Sequence, residues 1–252
     1  MSLSAEYLAV ISLLSLIPYS LKGLTGFGPA LLFVPLASAL FGQPLAVAAS
    51  GALDVTSGAA LTATDPQIRR GHEGFFIGSA MALGTAAGVV ALSRIPSTVS
   101  AGVLVAAVVI GLISVVDAQR KGPVETSRKI GPRGGLVGLL AGAIGGITGI
   151  NGPPLVIYLQ RVLSPHDQRI VLTRVLLVSA VVRVITFFFV GNHIAEAMIL
   201  TLVCLPTQLV GLLIGSRFAK KTSPRRLAGI NSSIVAISII LAAYNAFAGT
   251  GG

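Results

Sequence analysis

Apolar runs long enough to cross a bilayer follow one another almost end to end through this 252-residue chain. A hydrocarbon core about 30 Å thick takes about 20 predominantly apolar residues per helical crossing. The runs cover 5–41, 44–63, 73–93, 98–117, 133–160, 168–190, 194–217 and 226–247. Only 10% of the residues are charged, against roughly a quarter in a soluble domain, which argues against a water-soluble fold. A membrane β-barrel would need about ten residues of polar/apolar alternation per strand, and stretches such as 103–116 and 176–182 do not alternate. The chain reads as one all-α polytopic membrane domain.

The 18 Lys and Arg outnumber the 8 Asp and Glu, giving a net charge of +10. In a soluble chain that surplus would raise the question of nucleic acid; here the charges are too few and the apolar runs too long. Fourteen of the 18 cations fall in or at the ends of four loops: Arg69 and Arg70; Arg120, Lys121, Arg128, Lys129 and Arg133; Arg161 and Arg169; Arg217, Lys220, Lys221, Arg225 and Arg226. Cytoplasmic loops hold Lys and Arg in excess, so these four share one side and would meet anionic lipid headgroups. Lys22 and Arg94 read as hairpin or loop positions, whereas Arg174 and Arg183 fall inside an apolar run.

That placement imposes a parity condition. Run 133–160 must start and finish in the cytoplasm, so it enters the membrane and turns back at its Gly-Pro centre. Run 5–41 is expected to form the matching hairpin from the other side. Each half is then one Gly/Pro-broken hairpin plus three transmembrane helices, and the second half is inverted relative to the first. The expected organisation is a first repeat over 1–117, a basic cytoplasmic connecting loop over 118–132, and a second, inverted repeat over 133–252, with both termini outside. The first charge is Glu6 and the first cation Lys22, unlike the positive start of a cleavable signal, so the first segment is expected to remain in the mature protein.

The repeat is also visible in the residues. Gly23-Leu24-Thr25-Gly26-Phe27-Gly28-Pro29 matches Gly146-Ile147-Thr148-Gly149-Ile150-Asn151-Gly152-Pro153 with one insertion, at an offset of 123 to 124 residues. Glycines and prolines clustered mid-membrane free backbone N–H and C=O groups that lipid cannot satisfy, so such backbone survives only inside protein or beside a water-filled cavity. Paired breaks in an inverted repeat point to a transporter's binding site near the midplane. A helix that starts after a break presents free N–H groups and a positive dipole end to an anion, and Pro29, Pro153 and Pro154 suit its first turn. The candidate contacts are Thr25, Gly26, Phe27 and Gly28 at the first break and Thr148, Gly149, Asn151 and Gly152 at the second. The competing reading is that these glycines only let helices pack closely.

The paired Gly-rich hairpins with a following proline, the eight-run length and the basic central loop resemble the sulfite exporter family, also called the TauE/SafE or toluene sulfonate uptake permease family. Gly145-Gly146-Ile147-Thr148-Gly149-Ile150-Asn151-Gly152-Pro153-Pro154 is the more characteristic piece. The first hairpin departs from the family's longer glycine run, carrying Phe27 and Pro29. The resemblance implies a multi-pass secondary transporter of a bacterial inner membrane, working on sulfite, thiosulfate, organosulfonates or related organic anions.

Charged side chains inside a membrane mark functional sites by default. Guanidinium holds sulfonate or carboxylate in a planar fork, so Arg183, with Arg174, is expected to bind the anion; Arg174 is also within snorkelling reach of the interface. Asp54, at the middle of run 44–63, is either a proton-coupling group or the counter-ion of an arginine, and Ser50 shares its helix face. Gln208 and Asn231, the latter beside Ser232, form a second tier, and polar residues in membrane helices also simply bridge neighbouring helices.

The lone cysteine, Cys204, allows no disulfide framework, and His72, His166 and His193 fall in loops without ligand spacing. Neither a metal nor a cofactor is expected. No nucleophile motif or phosphate-binding loop is present, so a transporter rather than an enzyme is expected. The expected partners are a small anion, membrane lipid, a coupled proton or sodium ion, and a second copy in a homodimer, with no nucleic acid. A passive anion channel and a non-transporting membrane scaffold are the alternatives.

Overall fold

A computed structural model of the chain describes residues 4–25, 29–64, 74–121, 130–190 and 194–219. Among them the chain forms nine helices and no strand: α1 (Ala5–Thr25), α2 (Pro29–Phe41), α3 (Gln43–Thr64), α4 (Phe75–Leu92), α5 (Ser97–Lys121), α6 (Arg133–Thr148), α7 (Gly152–Leu159), α8 (Pro165–Val190) and α9 (Ile194–Ala219). Ala5–Leu24, Gln43–Thr64, Phe75–Leu92, Asp167–Val190 and Ile194–Phe218 are each long and apolar enough to cross a membrane. The surface has the matching inside-out character. Leu13, Phe75, Leu83, Phe189 and Leu202 are all more than half exposed, as lipid-facing side chains on α1, α4, α8 and α9 would be.

Both long runs break where glycine and proline cluster. α6 ends on Gly149, whose backbone is left-handed at φ 75° and whose N–H caps the Gly145 carbonyl at 2.8 Å; glycine takes this conformation without steric cost. Asn151 then precedes α7, with proline in its first turn, where the missing N–H costs no hydrogen bond. In the first run, α2 likewise begins on a proline, Pro29. The hairpin arms are unequal. α1 has 21 residues, about 31 Å of helix, and α2 has 13, whereas α6 has 16 and α7 only 8.

Two boundaries differ from the sequence expectation. α5 continues to Lys121, into the stretch read as the start of the connecting loop. α8 starts at Pro165, which takes His166 and Arg169 out of the loop and into its opening turns. Ser164 explains the early start: its hydroxyl accepts the Asp167 N–H at 3.3 Å, as an N-cap does, and donates to the Asp167 carboxylate at 2.9 Å. Run 226–247 lies outside the described residues.

The helices pack in two closely fitted pairs around a central crossing. α1 lies against α9, α4 lies against α6, and α3 crosses α8 between them. Small residues let the paired backbones touch. A Cβ at Gly84 would overlap the Leu139 carbonyl and the Ala143 nitrogen, and one at Gly88 would meet the Ala143 carbonyl and the Gly146 Cα. A Cβ at Gly211 would meet the Leu16 carbonyl and the Ser20 nitrogen, and one at Gly215 the Ser20 carbonyl and the Gly23 Cα. The two sets correspond residue for residue: Leu16, Ser20 and Gly23 lie 123 positions before Leu139, Ala143 and Gly146, and Gly84 and Gly88 lie 127 before Gly211 and Gly215. Hydroxyls reinforce the α1–α9 pair, with Ser12 donating to the Val203 carbonyl at 2.9 Å and Ser15 and Thr207 sharing a bond of 2.8 Å.

Candidate functional site

The central crossing brings three charged groups together. Asp54, midway along α3, accepts a hydrogen bond from Lys22 Nζ of α1 at 2.8 Å through Oδ1 and one from Arg183 Nη2 of α8 at 3.4 Å through Oδ2. The side chains of Lys22 and Arg183 are 7% and 1% exposed, against 13% for Asp54. Two cations against one carboxylate leave this cluster a formal charge of +1. Buried charge is costly unless paired and hydrogen-bonded. The Arg183 stem lies against Gly51, in ordinary van der Waals range of where a Cβ would stand.

Arg183 is engaged on several sides. Its Nη1 donates to Ser50 Oγ at 3.1 Å and to the Gly149 carbonyl at 3.3 Å. Its Nε is buried and has no partner among the described residues. The guanidinium thus ties the α3 carboxylate to the backbone of the second break. Lys22, three residues before the end of α1, brings the first break to the same carboxylate.

Beside the triad lies a cleft of about 20 Å³ lined by Lys22, Asp54 and Leu176, by Pro29, Ala30 and Leu31 at the start of α2, and by Ile150, Asn151 and Gly152 at the start of α7. Both broken hairpins therefore contribute to one cleft, at the N-termini of their second arms, where partial positive charge is fixed by the helix dipole. The space holds little more than one water.

The second break is braced by neutral groups. Thr148 Oγ1 donates to the Ile144 carbonyl at 2.8 Å and accepts the Ile150 N–H at 3.0 Å. Gln43 Nε2 donates to the Ile147 carbonyl at 3.0 Å, satisfying a carbonyl that the break deprives of its helical partner. Asn151 Nδ2 donates to Ser179 Oγ at 2.9 Å, and Ser179 shares a 2.7 Å bond with Thr85.

Of the residues singled out from the sequence, Asp54, Asn151 and Gly152 line the cleft, while Ser50 and Gly149 hold Arg183 behind it. Arg183 itself does not line the cleft; its guanidinium is turned onto Asp54, Ser50 and Gly149. Thr148 is spent on capping. Arg174 is half-buried on α8, nine residues or about 14 Å of helix from Arg183, too far for both to grip one small anion. Gln208 lies in α9 and donates to the Leu53 carbonyl at 2.7 Å and to Thr56 at 3.0 Å, a strut between α9 and α3. Thr25 closes α1, and Gly26, Phe27, Gly28, Asn231 and Ser232 lie outside the described residues.

Sequence reasoning missed Lys22. The sequence reads it as a hairpin or loop position, yet it is inside α1 and buried. The available signal was depth: Lys22 is the only cation of run 5–41, and Asp54 the only charge of run 44–63. Ser179 and Thr85, both fully buried, were missed as well.

A family model described as sulfite exporter TauE/SafE matches residues 11–244. No curated protein and no solved structure matches the chain.

Proposed function

Because the chain belongs to the TauE/SafE sulfite exporter family, and is therefore a multi-pass membrane transporter, we propose that it is a secondary transporter of small sulfur-containing or organic anions. Sulfite, thiosulfate and organosulfonates are the cargo class. The observation that carries this reading is the single cleft lined by both broken hairpins and by a triad of net positive charge. An oxyanion there would neutralise the surplus charge and meet the N-terminal ends of α2 and α7.

Alternating access accounts for the size of the cleft. An oxyanion of several heavy atoms does not fit where there is room for about one water, so loading requires the two hairpins to separate. The correspondence between the α1–α9 and α4–α6 contacts supports an inverted repeat, with halves at 1–117 and 133–252 joined by the basic segment 118–132. In such a repeat each hairpin is fixed to a helix of the opposite half, and rocking one pair against the other would open the cleft to either side. The basic loops would face the cytoplasm of a bacterial inner membrane, with both termini outside. The narrowness of the cleft favours a carrier over a passive channel.

Flux in proteoliposomes tests the reading. Sulfite uptake that saturates, competes with thiosulfate or a small sulfonate, and turns over no faster than a conformational cycle of μs to ms is expected. Absence of anion flux would sink it, and flux far above that rate would make the protein a channel.

A further inference from the structure

The triad is asymmetric in a way that the anion reading does not require. Arg183 is sealed behind Asp54 and bound to Ser50 and the Gly149 carbonyl, whereas Lys22 and Asp54 both line the cleft. Asp54 is the most exposed of the three, at 13%, and presents its two oxygens to two different cations. A carboxylate held this way occupies the place an oxyanion would take. The cleft beside it has room for about one water, so an oxyanion reaching Lys22 must move something aside. The Asp54–Lys22 contact is the one whose both partners face the cleft.

Resting on the reading of the chain as an anion transporter, we propose that Asp54 and the transported anion compete for Lys22. When no anion is bound, the carboxylate caps the lysine and keeps two buried cations from facing each other unpaired. An entering oxyanion takes Lys22, and Asp54 keeps Arg183. On release the carboxylate returns to the lysine and speeds the anion's departure. Lys22 is thus the anion's charged contact and Arg183 a positioning residue that holds Asp54 within reach. No covalent step is involved.

Calorimetric titration of the purified full-length protein with sodium sulfite decides this. Asp54→Asn removes the competitor and is expected to bind sulfite about tenfold more tightly, the value of one charge-assisted contact, with slower exchange in proteoliposomes. Lys22→Met is expected to lose at least about tenfold in affinity while leaving a neutral Asp54–Arg183 pair. A purely structural triad predicts the opposite for Asp54→Asn, weaker binding or none, and that result overturns the proposal. Unchanged affinity in Lys22→Met overturns it too, and because this variant keeps a neutral pair it serves even if Asp54→Asn fails to fold. A wild-type protein that neither binds nor moves any anion in a panel of sulfite, thiosulfate, taurine, sulfoacetate and carboxylates would overturn the transporter's anion class itself. That result is distinct from a wild type that binds sulfite and an Asp54→Asn variant that binds it no better.

Discussion

Both broken runs resume in a helix with proline in its first turn, but the side chains around them differ in chemistry. At the first, Lys22 reaches a carboxylate on α3. The position 123 residues on is Gly145, which has no side chain and packs directly on Asn151. At the second, the polar work is done by neutral groups, Asn151 on Ser179 and Ser179 on Thr85. The glycines that clamp α1 to α9 and α4 to α6 are matched, while the charges are not. What the α1–α9 and α4–α6 pairs have in common is glycine where the backbones touch. What distinguishes them is where charge is placed, and that asymmetry gives the cleft one positive wall and one neutral wall.

Arg183 links the two breaks, so removing it should produce the largest effect. Arg183→Gln strips Asp54 of one partner and the Gly149 carbonyl of another. Breaking a buried pair typically costs about 3–5 kcal/mol, and a fall in unfolding free energy of that order is expected in detergent denaturation. Wild-type stability would mean that the breaks are held together by something other than this guanidinium.

The clamps come next. Gly88→Ala and Gly215→Ala each force a methyl group against backbone that cannot swing away, and overpacking of this kind costs about 1–3 kcal/mol. Because the contacts correspond, the two losses should agree within about 0.5 kcal/mol, near the error of such comparisons. A marked inequality, read by the same denaturation experiment, would break the equivalence of the two pairs.

Much of this scaffold was legible in the sequence. Apolar runs gave the helices because only a helix satisfies its own backbone in lipid, and the Gly-Pro clusters gave the breaks because they interrupt that ladder. The repeat in Gly23–Pro29 and Gly146–Pro153 pointed to the two chain breaks that now line one cleft. The partners of the charges were not legible. Pairing between Lys22 and Asp54 depends on how α1 and α3 lie against α8, and no local pattern encodes that. Arg183 was found as an intramembrane charge, but its direction was not, since facing Ser50 and Gly149 rather than the cleft is a matter of tertiary packing.

The neutral wall should matter less than the charged one. Asn151→Ala loses the hydrogen bond to Ser179, worth about 1 kcal/mol, and leaves every charge in place. Stability should fall by about that amount, and sulfite affinity should fall less than in Lys22→Met. Should Asn151→Ala abolish binding while Lys22→Met spares it, the assignment of the two walls is reversed.

The smallest effect is expected at the residue that the sequence alone placed beside Arg183. Arg174 lies about 14 Å nearer the start of α8 and is only half-buried, whereas Arg183 is fully buried. Arg174→Gln should cost less stability than Arg183→Gln does and leave sulfite flux within about twofold of the wild type. The two arginines thus provide an internal control: same helix, same substitution, different depth. A strong transport defect in Arg174→Gln with stability intact would show that the anion meets a second cation on its way to the cleft. The charged wall would then extend along α8 and not end at the triad.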